Sequence, residues 1–452
     1  MGNSRKILLL NTNLVKPPVA PIAFDYIGSA LADNGFETEL LDLNFSGDIK
    51  GDLRKQLQES YLAIAATIRN TDDCYYLSRD NFLVKIKDII GHIREYSAVP
   101  VILGGGGFSV MPLEITRYLG ADFGIAGDGE SALPGLAEAI YKNTTASTGR
   151  PRILKSRCGS LEKYPLSSRE IVDNKRYFDR GGMGSVETKR GCNQRCIYCA
   201  DPLIKGKRLR VRPVRTVLEE IKKLLSKGID YIHFCDSEFN IPICHARELL
   251  GQIIDKRLGD KIKWYSYMSP VPFDEDFIRL IKKSGCEGIN FGIDSAHKTI
   301  LGNLNRDHNI GDLENISKLC SKYRIKFMFD LLIGGPGEDR HTIKYTIDAV
   351  KRLNPTCVGI SYGIRVYPGT AIADRAAVDA TDFLRPIFFI SDKMGEDIIG
   401  YTNMLVSDDK RFFIGACDKN KKNYNYNENL ILQKAIISGH RGAYWDILQR
   451  LR

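Results

Sequence analysis

Long apolar stretches are missing from this chain: its 452 residues contain no 18-residue apolar run free of charge, which excludes an ordinary membrane-spanning helix. The opening MGNSRKILLLNTN has too short an apolar core for a secretory leader and turns polar at once, so it predicts a first β-strand. Lys6 stands where N-myristoylation needs Ser or Thr, and that modification is not indicated. Histidine is scarce, seven in all, with no two at metal-ligand spacing. His233 falls inside a predicted strand, while His245, His297 and His308 fall in helical or loop contexts, so structural or surface roles are expected of them. No G-x-G-x-x-G opens a helix, and a dinucleotide fingerprint is therefore absent. The 11 cysteines show no paired framework. Together with the missing export signal, this predicts a reducing cytoplasm rather than a disulfide scaffold.

What is present is an ordinary globular composition, 43% apolar and 27% charged, at a length that suits two or three domains. Lys and Arg exceed Asp and Glu by 65 to 55, a net +10. Much of the local excess sits in residues 205–215, KGKRLRVRPVR. Such a run can serve nucleic acid or another anionic partner; a solvated face beside an anionic cofactor is the expected reading here.

The organising stretch is residues 187–202, ETKRGCNQRCIYCADP, in which Cys192, Cys196 and Cys199 are spaced C-x3-C-x2-C behind a candidate strand at 185–190. Three thiolates this close form a soft, electron-rich claw suited to an iron-sulfur cluster or to zinc. A closed site takes four protein ligands, and no further cysteine or histidine follows until His233. One metal position is thus left open, which is a catalytic arrangement rather than a structural one.

Around this loop the chain alternates β and α. In the first 145 residues, apolar strands are read at 7–10, near 40, at 61–67 and at 99–106, with a helical period over 81–94. This is the pattern of a doubly wound parallel sheet, whose strand ends are open to a ligand. Gly104, Gly105 and Gly106 end one strand, and Gly127 to Glu130 follow another, places where backbone amides can approach a ligand closely. The loop after the 61–67 strand, from Thr67 through Arg69 to Asp73, either faces that ligand or is a plain connection. Residues 146–184 lose periodicity and read as a linker. Beyond the cysteine loop, strands near 231–235, 263–268, 288–293, 327–333 and 358–364 join the one at 185–190 in a partial (β/α)6 barrel spanning 185–380. The helix opened by Pro213 carries an apolar stripe at 214, 217, 218, 221, 224 and 225. In such barrels the chemistry collects at the strands' carboxyl ends, here Asp236, Ser237 and Glu238; Asp294 and Ser295; Gly334, Gly335 and Glu338; and residues 365–370. Helix capping competes with ligand contact for the Asp and Ser residues. Residues 381–452 are expected to form a small α-rich cap over the barrel mouth, with Tyr401, Tyr424, Tyr426 and Trp445 as candidate substrate-lining aromatics.

The cysteine motif, with Tyr198 in its aromatic slot, resembles the radical S-adenosylmethionine (SAM) superfamily. The first 145 residues resemble the cobalamin-binding domain that precedes the barrel in its cobalamin-dependent branch, through residues 17–28, 104–107 and 127–130. The resemblance implies that Cys192, Cys196 and Cys199 hold a [4Fe-4S] cluster whose open iron binds SAM, and that one electron cleaves SAM to a 5'-deoxyadenosyl radical. It places Asp236 to Glu238 by the methionine amino group, Asp294 and Ser295 by the ribose or carboxylate, and the Gly334 to Glu338 turn by adenine. Thr67, Arg69, Gly104 to Gly106, Gly127 and Glu130 fall to cobalamin. The D-x-H-x-x-G signature that supplies a histidine to cobalt elsewhere is absent, so cobalamin is expected to bind without it. The activity implied is methyl transfer to an unactivated carbon of a small molecule or peptide, with flavodoxin or ferredoxin as electron donor and neither membrane nor nucleic acid as partner. The alternatives are a ring-forming or rearranging radical enzyme, with or without cobalamin, and a non-catalytic zinc or nucleic-acid-binding protein.

Overall fold

A computed structural model describes residues 4–145, 151–164, 166–376, 382–394, 397–414 and 429–452. Two parallel sheets dominate it, and in the first the central strands are near-continuous apolar runs because helices cover both faces. In the first sheet β1 (Lys6–Asn11) is buried from Ile7 onward. It lies between β2 (Glu37–Asp42) and β3 (Ala63–Thr67), followed by β4 (Val101–Gly104), β5 (Phe123–Gly127) and β6 (Arg152–Ser156), in the order β2-β1-β3-β4-β5-β6. The order reverses at β1, so a crevice opens beyond the carboxyl ends of β1 and β3. The helix Phe82–Tyr96 shows how the faces are covered. Asn81 caps it by accepting from the Leu83 amide, and Leu83, Ile86, Ile89, Ile90 and Ile93 form one buried stripe. Each such side chain contributes about 1.5–3 kcal/mol on burial. The sixth strand comes from the stretch that reads as a linker. It sits at the edge, half exposed, and an edge strand needs little apolar content.

The second sheet begins with β7 (Gly184–Val186). A short antiparallel pair, β8 (Lys189–Arg190) and β9 (Arg210–Val211), then brackets the cysteine loop. β10 (Tyr231–Phe234), β11 (Lys263–Met268), β12 (Cys286–Asp294), β13 (Lys326–Ile333) and β14 (Cys357–Tyr362) follow in sequential order. The six strands read from the sequence are present. β15 (Ile364–Arg365) pairs with β16 (Phe388–Phe389), and β17 (Phe412–Ile414) adds a seventh parallel strand beside β14. Helices Val214–Ser226, Ile243–Asp255, Glu275–Lys283, Ile310–Tyr323 and Arg340–Leu353 fill the crossovers.

The apolar core under the first sheet runs on into Ile197, Leu304, Ile364 and Val366 of the second unit. Buried ion pairs reinforce that seam: Arg365 with Asp72 at 2.8 Å, Arg169 with Glu220 at 2.7 Å, and Arg190 with Glu130 at 2.6 Å. Removing one partner of such a pair costs about 3–5 kcal/mol. The described part of residues 381–452 reaches both ends of the barrel. Ser391 N donates to Gly334 O at 2.9 Å beyond the carboxyl end of β13, whereas residues 443–446 close the opposite end, where the strands begin: the Tyr265 hydroxyl donates to Asp446 at 2.7 Å, and Lys326 pairs with the same carboxylate at 2.9 Å.

Candidate cofactor and substrate site

Gly191 starts the cysteine loop with φ +97°, and a Cβ there would lie 2.1 Å from the Arg208 carbonyl, so only glycine lets the chain leave β8 at this angle. Further bonds fix the loop. Cys192 N donates to Gly206 O at 3.0 Å, Ile197 N to Leu304 O at 3.2 Å, and Asn305 Nδ2 to Arg195 O at 2.7 Å. Burial pushes the Cys192 thiol up to about 11, with Glu238, Asp201 and Cys196 adding to it. Cys196 and Cys199 are raised as well, burial again being the main cause. Burial alone raises a thiol in this way; the thiolate is the metal-ligating form, and a bound cation would favour it. Among the described residues no three His, Cys, Asp or Glu side chains converge on a single ion. A cluster does not require that, since each thiolate meets a different iron.

The loop's neighbours divide into engaged groups and one free group. Asp236 accepts from Thr188 N at 2.9 Å, from the Thr188 hydroxyl and from Lys189 N at 3.2 Å, and pairs with Lys189 Nζ at 3.4 Å. These four contacts fill its acceptor capacity, so it braces the strand end ahead of the loop. The Ser237 hydroxyl donates to Asp201 and accepts from Lys205. Asp294 takes the Tyr198 hydroxyl at 2.6 Å and Arg306 at 3.2 Å. Ser295 is wholly buried, bonded to Thr346 and to the His297 amide; it does not cap the helix that follows, whose N-cap is His297. Glu338 folds back onto the Gly334 and Gly335 amides, and burial pushes it up to about 7. Glu238 differs. It is enclosed, its Oε2 has no partner, and burial pushes it up to about 7, with Arg306 and Lys189 opposing. Its charge in turn raises Cys192 and Cys196. A positive partner at the open end of the cysteine claw would complete it.

Arg306 escaped the sequence reading. Anchored by Asp294 and the Gly292 carbonyl, it donates to Cys196 Sγ at 3.0 Å. Nothing in NLNRDHN marks it, because its place depends on the turn after the helix Lys298–Asn303.

At the first sheet the glycines leave space. Gly105 has φ +107°, and a Cβ there would strike the Ile68 carbonyl at 2.5 Å. Thr67, Arg69, Gly104, Gly105, Gly106, Gly127 and Glu130 all line one cavity of about 340 Å³, walled on the barrel side by Glu187, Arg190 and Lys205. Glu130 lines it with its carboxylate already committed to Arg190 at 2.6 and 3.1 Å. Arg190 also meets Asp128 at 3.2 Å, so this segment braces the residue that precedes the cysteine loop. The loop after β3 divides its work. Asp72 is spent on Arg365, whereas the Arg69 guanidinium enters the cavity without a carboxylate partner among the described residues. Ser109 and Gly127 also line a neighbouring cavity of about 570 Å³, and Arg69 lines a third of about 300 Å³ inside the barrel. The tract suits a ligand larger than any one of its parts, at the crevice where this topology leaves room for one.

The barrel cavity takes Trp445 from the candidate aromatics. Tyr401 lies elsewhere, its hydroxyl on the Arg340 carbonyl. Tyr424 and Tyr426 lie outside the described residues. The basic run is spent largely inside the protein: Lys205 on Asp201, Arg210 on Asp128, Arg212 on Glu220. No helix among the described residues is long and apolar enough to cross a membrane, and the ten described cysteines are unpaired.

Comparison with known proteins agrees with this geometry. The Radical SAM superfamily profile matches residues 186–350, and the B12 binding domain profile matches residues 9–137. The tryptophan 2-C-methyltransferase of Streptomyces laurentii is 30% identical over 447 residues, covering 82% of this chain and 74% of that protein. The radical SAM methyltransferase TsrM of Kitasatospora setae, solved with tryptophan and a SAM analog, superposes with a TM-score of 0.89 at 29% identity, covering 99% of this chain and all 100% of that one. The same enzyme with cobalamin and a [4Fe-4S] cluster gives 0.88 at 28% identity, over 99% and 97% of the two chains.

Proposed function

The chain belongs to the cobalamin-dependent radical SAM methyltransferases, and from that premise we propose that it methylates a carbon of an indole ring, with tryptophan as the substrate. One observation carries the reading: Arg69 stands in both the glycine-lined cavity of the first sheet and the aromatic cavity of the barrel. A substrate in one therefore meets a cofactor in the other. Cys192, Cys196 and Cys199 would hold the cluster, and Gly104 to Gly106 leave the sheet edge bare for the corrin. Bound there, the cluster supplies an electron, SAM the methyl group, and cobalamin its carrier. The protein's own part is placement and dryness. Trp445 and Ala443 close the barrel from below, Arg306 steadies the Cys196 sulfur, and Arg190 keeps the cysteine loop against the first sheet. A one-electron donor such as flavodoxin or ferredoxin in a reducing cytosol fits this reading.

The test is anaerobic reconstitution with iron, sulfide and cobalamin, followed by SAM and L-tryptophan. Methylated tryptophan with matching S-adenosylhomocysteine is expected. A fully loaded protein that leaves tryptophan unmodified overturns the proposal. The free oxygen of Glu238 favours a second reading, in which this carboxylate rather than SAM completes the cluster's open iron. The indole ring is electron-rich enough to accept a methyl group without hydrogen abstraction. Stoichiometric 5'-deoxyadenosine beside the methylated product rejects that reading; its absence, with restoration in Glu238→Ala, supports it.

A further inference from the structure

The barrel cavity is lined by a carboxyl group that has no ion-pair partner among the described residues. Asp330 interrupts the apolar strand KFMFDLLI and faces inward with Met328. On β14, Gly359 gives its carboxylate room: a Cβ there would lie 2.6 Å from Oδ1. Among the described residues Asp330 has no ion pair. Burial pushes it up to about 7, the amide of Asn290 opposing by supporting the charged form and Asp294 adding its repulsion. Of the basic groups lining the cavity among the described residues, Arg69 forms no ion pair with Asp330, and His233 is uncharged. Burial holds His233 down to about 4, so the imidazole is neutral at physiological pH. Lys326 is committed to Asp446.

The rest of the wall is aromatic. Tyr267 keeps 42% of its surface although it sits deep in the barrel, its free face turned to the cavity. Tyr265 and Trp445 meet edge to face at 6.1 Å, and Gly288 makes that seat, since a Cβ there would lie 2.8 Å from the Trp445 ring. A buried carboxylate without a counter-ion, inside an aromatic cage, is stabilised by a ligand cation more than by a neutral donor, because only the cation answers the charge.

We propose that Asp330 is the recognition group for the substrate's ammonium, with the aromatic body of an amino acid held between Tyr265, Tyr267 and Trp445. This assignment rests on the indole reading above and adds to it the residue that selects a free amine.

The experiment measures equilibrium binding, without turnover, to the cofactor-loaded wild type and to Asp330→Asn. The ligands are L-tryptophan, indole-3-propionate, which lacks the ammonium, and 1-methyl-L-tryptophan, which lacks the ring N–H. The wild type is expected to prefer L-tryptophan over indole-3-propionate by about 10- to 100-fold, the range of one charge-assisted contact. Asp330→Asn is expected to erase that preference while binding indole-3-propionate as the wild type does. A variant that keeps the preference overturns the assignment, as does a preference that tracks the ring N–H instead. Should Asp330→Asn fail to load its cofactors, the wild type alone decides: equal binding of L-tryptophan and indole-3-propionate overturns it. A loaded wild type that binds none of the three overturns the indole reading and this assignment together.

Discussion

The carboxyl ends of the two sheets solve opposite problems. At the first sheet glycines leave space, and Arg69 beside them has no carboxylate partner among the described residues. At the barrel the residues are carboxylates and serines, and nearly all are spent on backbone amides, hydroxyls or guanidiniums. The first end is a mould for something absent from the polypeptide; the second is scaffolding around a loop. Polar residues at strand ends are therefore a poor guide to ligand contact unless one remains unsatisfied, as Glu238 does.

The sharpest way to break this contrast is at the loop that the scaffolding serves. Replacing Cys192, Cys196 or Cys199 with alanine is expected to abolish cluster iron and all methyl transfer while cobalt uptake persists, as read by metal analysis of each variant. Gly106→Leu probes the mould. A Cβ at this position meets the Arg69 carbonyl only at an ordinary 3.5 Å, so the fold should survive, while the leucine would fill the space proposed for the corrin. Cobalt content should fall at least about 10-fold, the equivalent of ~1.4 kcal/mol, with iron retained; loss of both metals together would mean that mould and scaffold are not separable. Arg306→Gln removes the charged donor from Cys196 Sγ. The cluster's midpoint potential should move negative by up to about 60 mV in a redox titration monitored by EPR. An unchanged potential would make Arg306 purely structural.

The smallest effect belongs to Glu338. A carboxyl held at about 7 in the fold, against an ordinary 4.5, contributes stability that is fully present below pH 4.5 and lost as pH rises through 7. The cofactor-free wild type should therefore melt lower at pH 8 than at pH 6. Glu338→Gln keeps an acceptor for the Gly334 and Gly335 amides and should flatten that slope by a few degrees at most. A slope unaltered in the variant would assign the pH response to Asp330 and Glu238.

Much of this was legible in the sequence, because cysteine spacing and apolar runs are local signals. The apolar residues of β13 mark it as a strand, and the lone charge of Asp330 within it is a signal of a different kind, one of function. β6 and β17 escaped because edge strands need neither length nor burial. The roles of Asp236, Asp294 and Ser295 depended on partners 48, 96 and 51 residues away. Sequence position cannot reveal whether a carboxylate's lone pairs are already taken, and Arg306 reaches Cys196 only through the turn that follows its helix.

The contact of Arg190 with Asp128 and Glu130 joins the mould to the scaffold at the residue before the cysteine loop. The two halves are consequently not interchangeable cassettes. A chimera that borrows its first 145 residues from a relative must carry the matching acidic pair, or its cluster loop will lose its footing even though every cysteine is in place. Expression of the barrel alone would leave a buried arginine exposed beside the cysteine loop, and such a fragment would be a poor vehicle for studying a cluster in isolation.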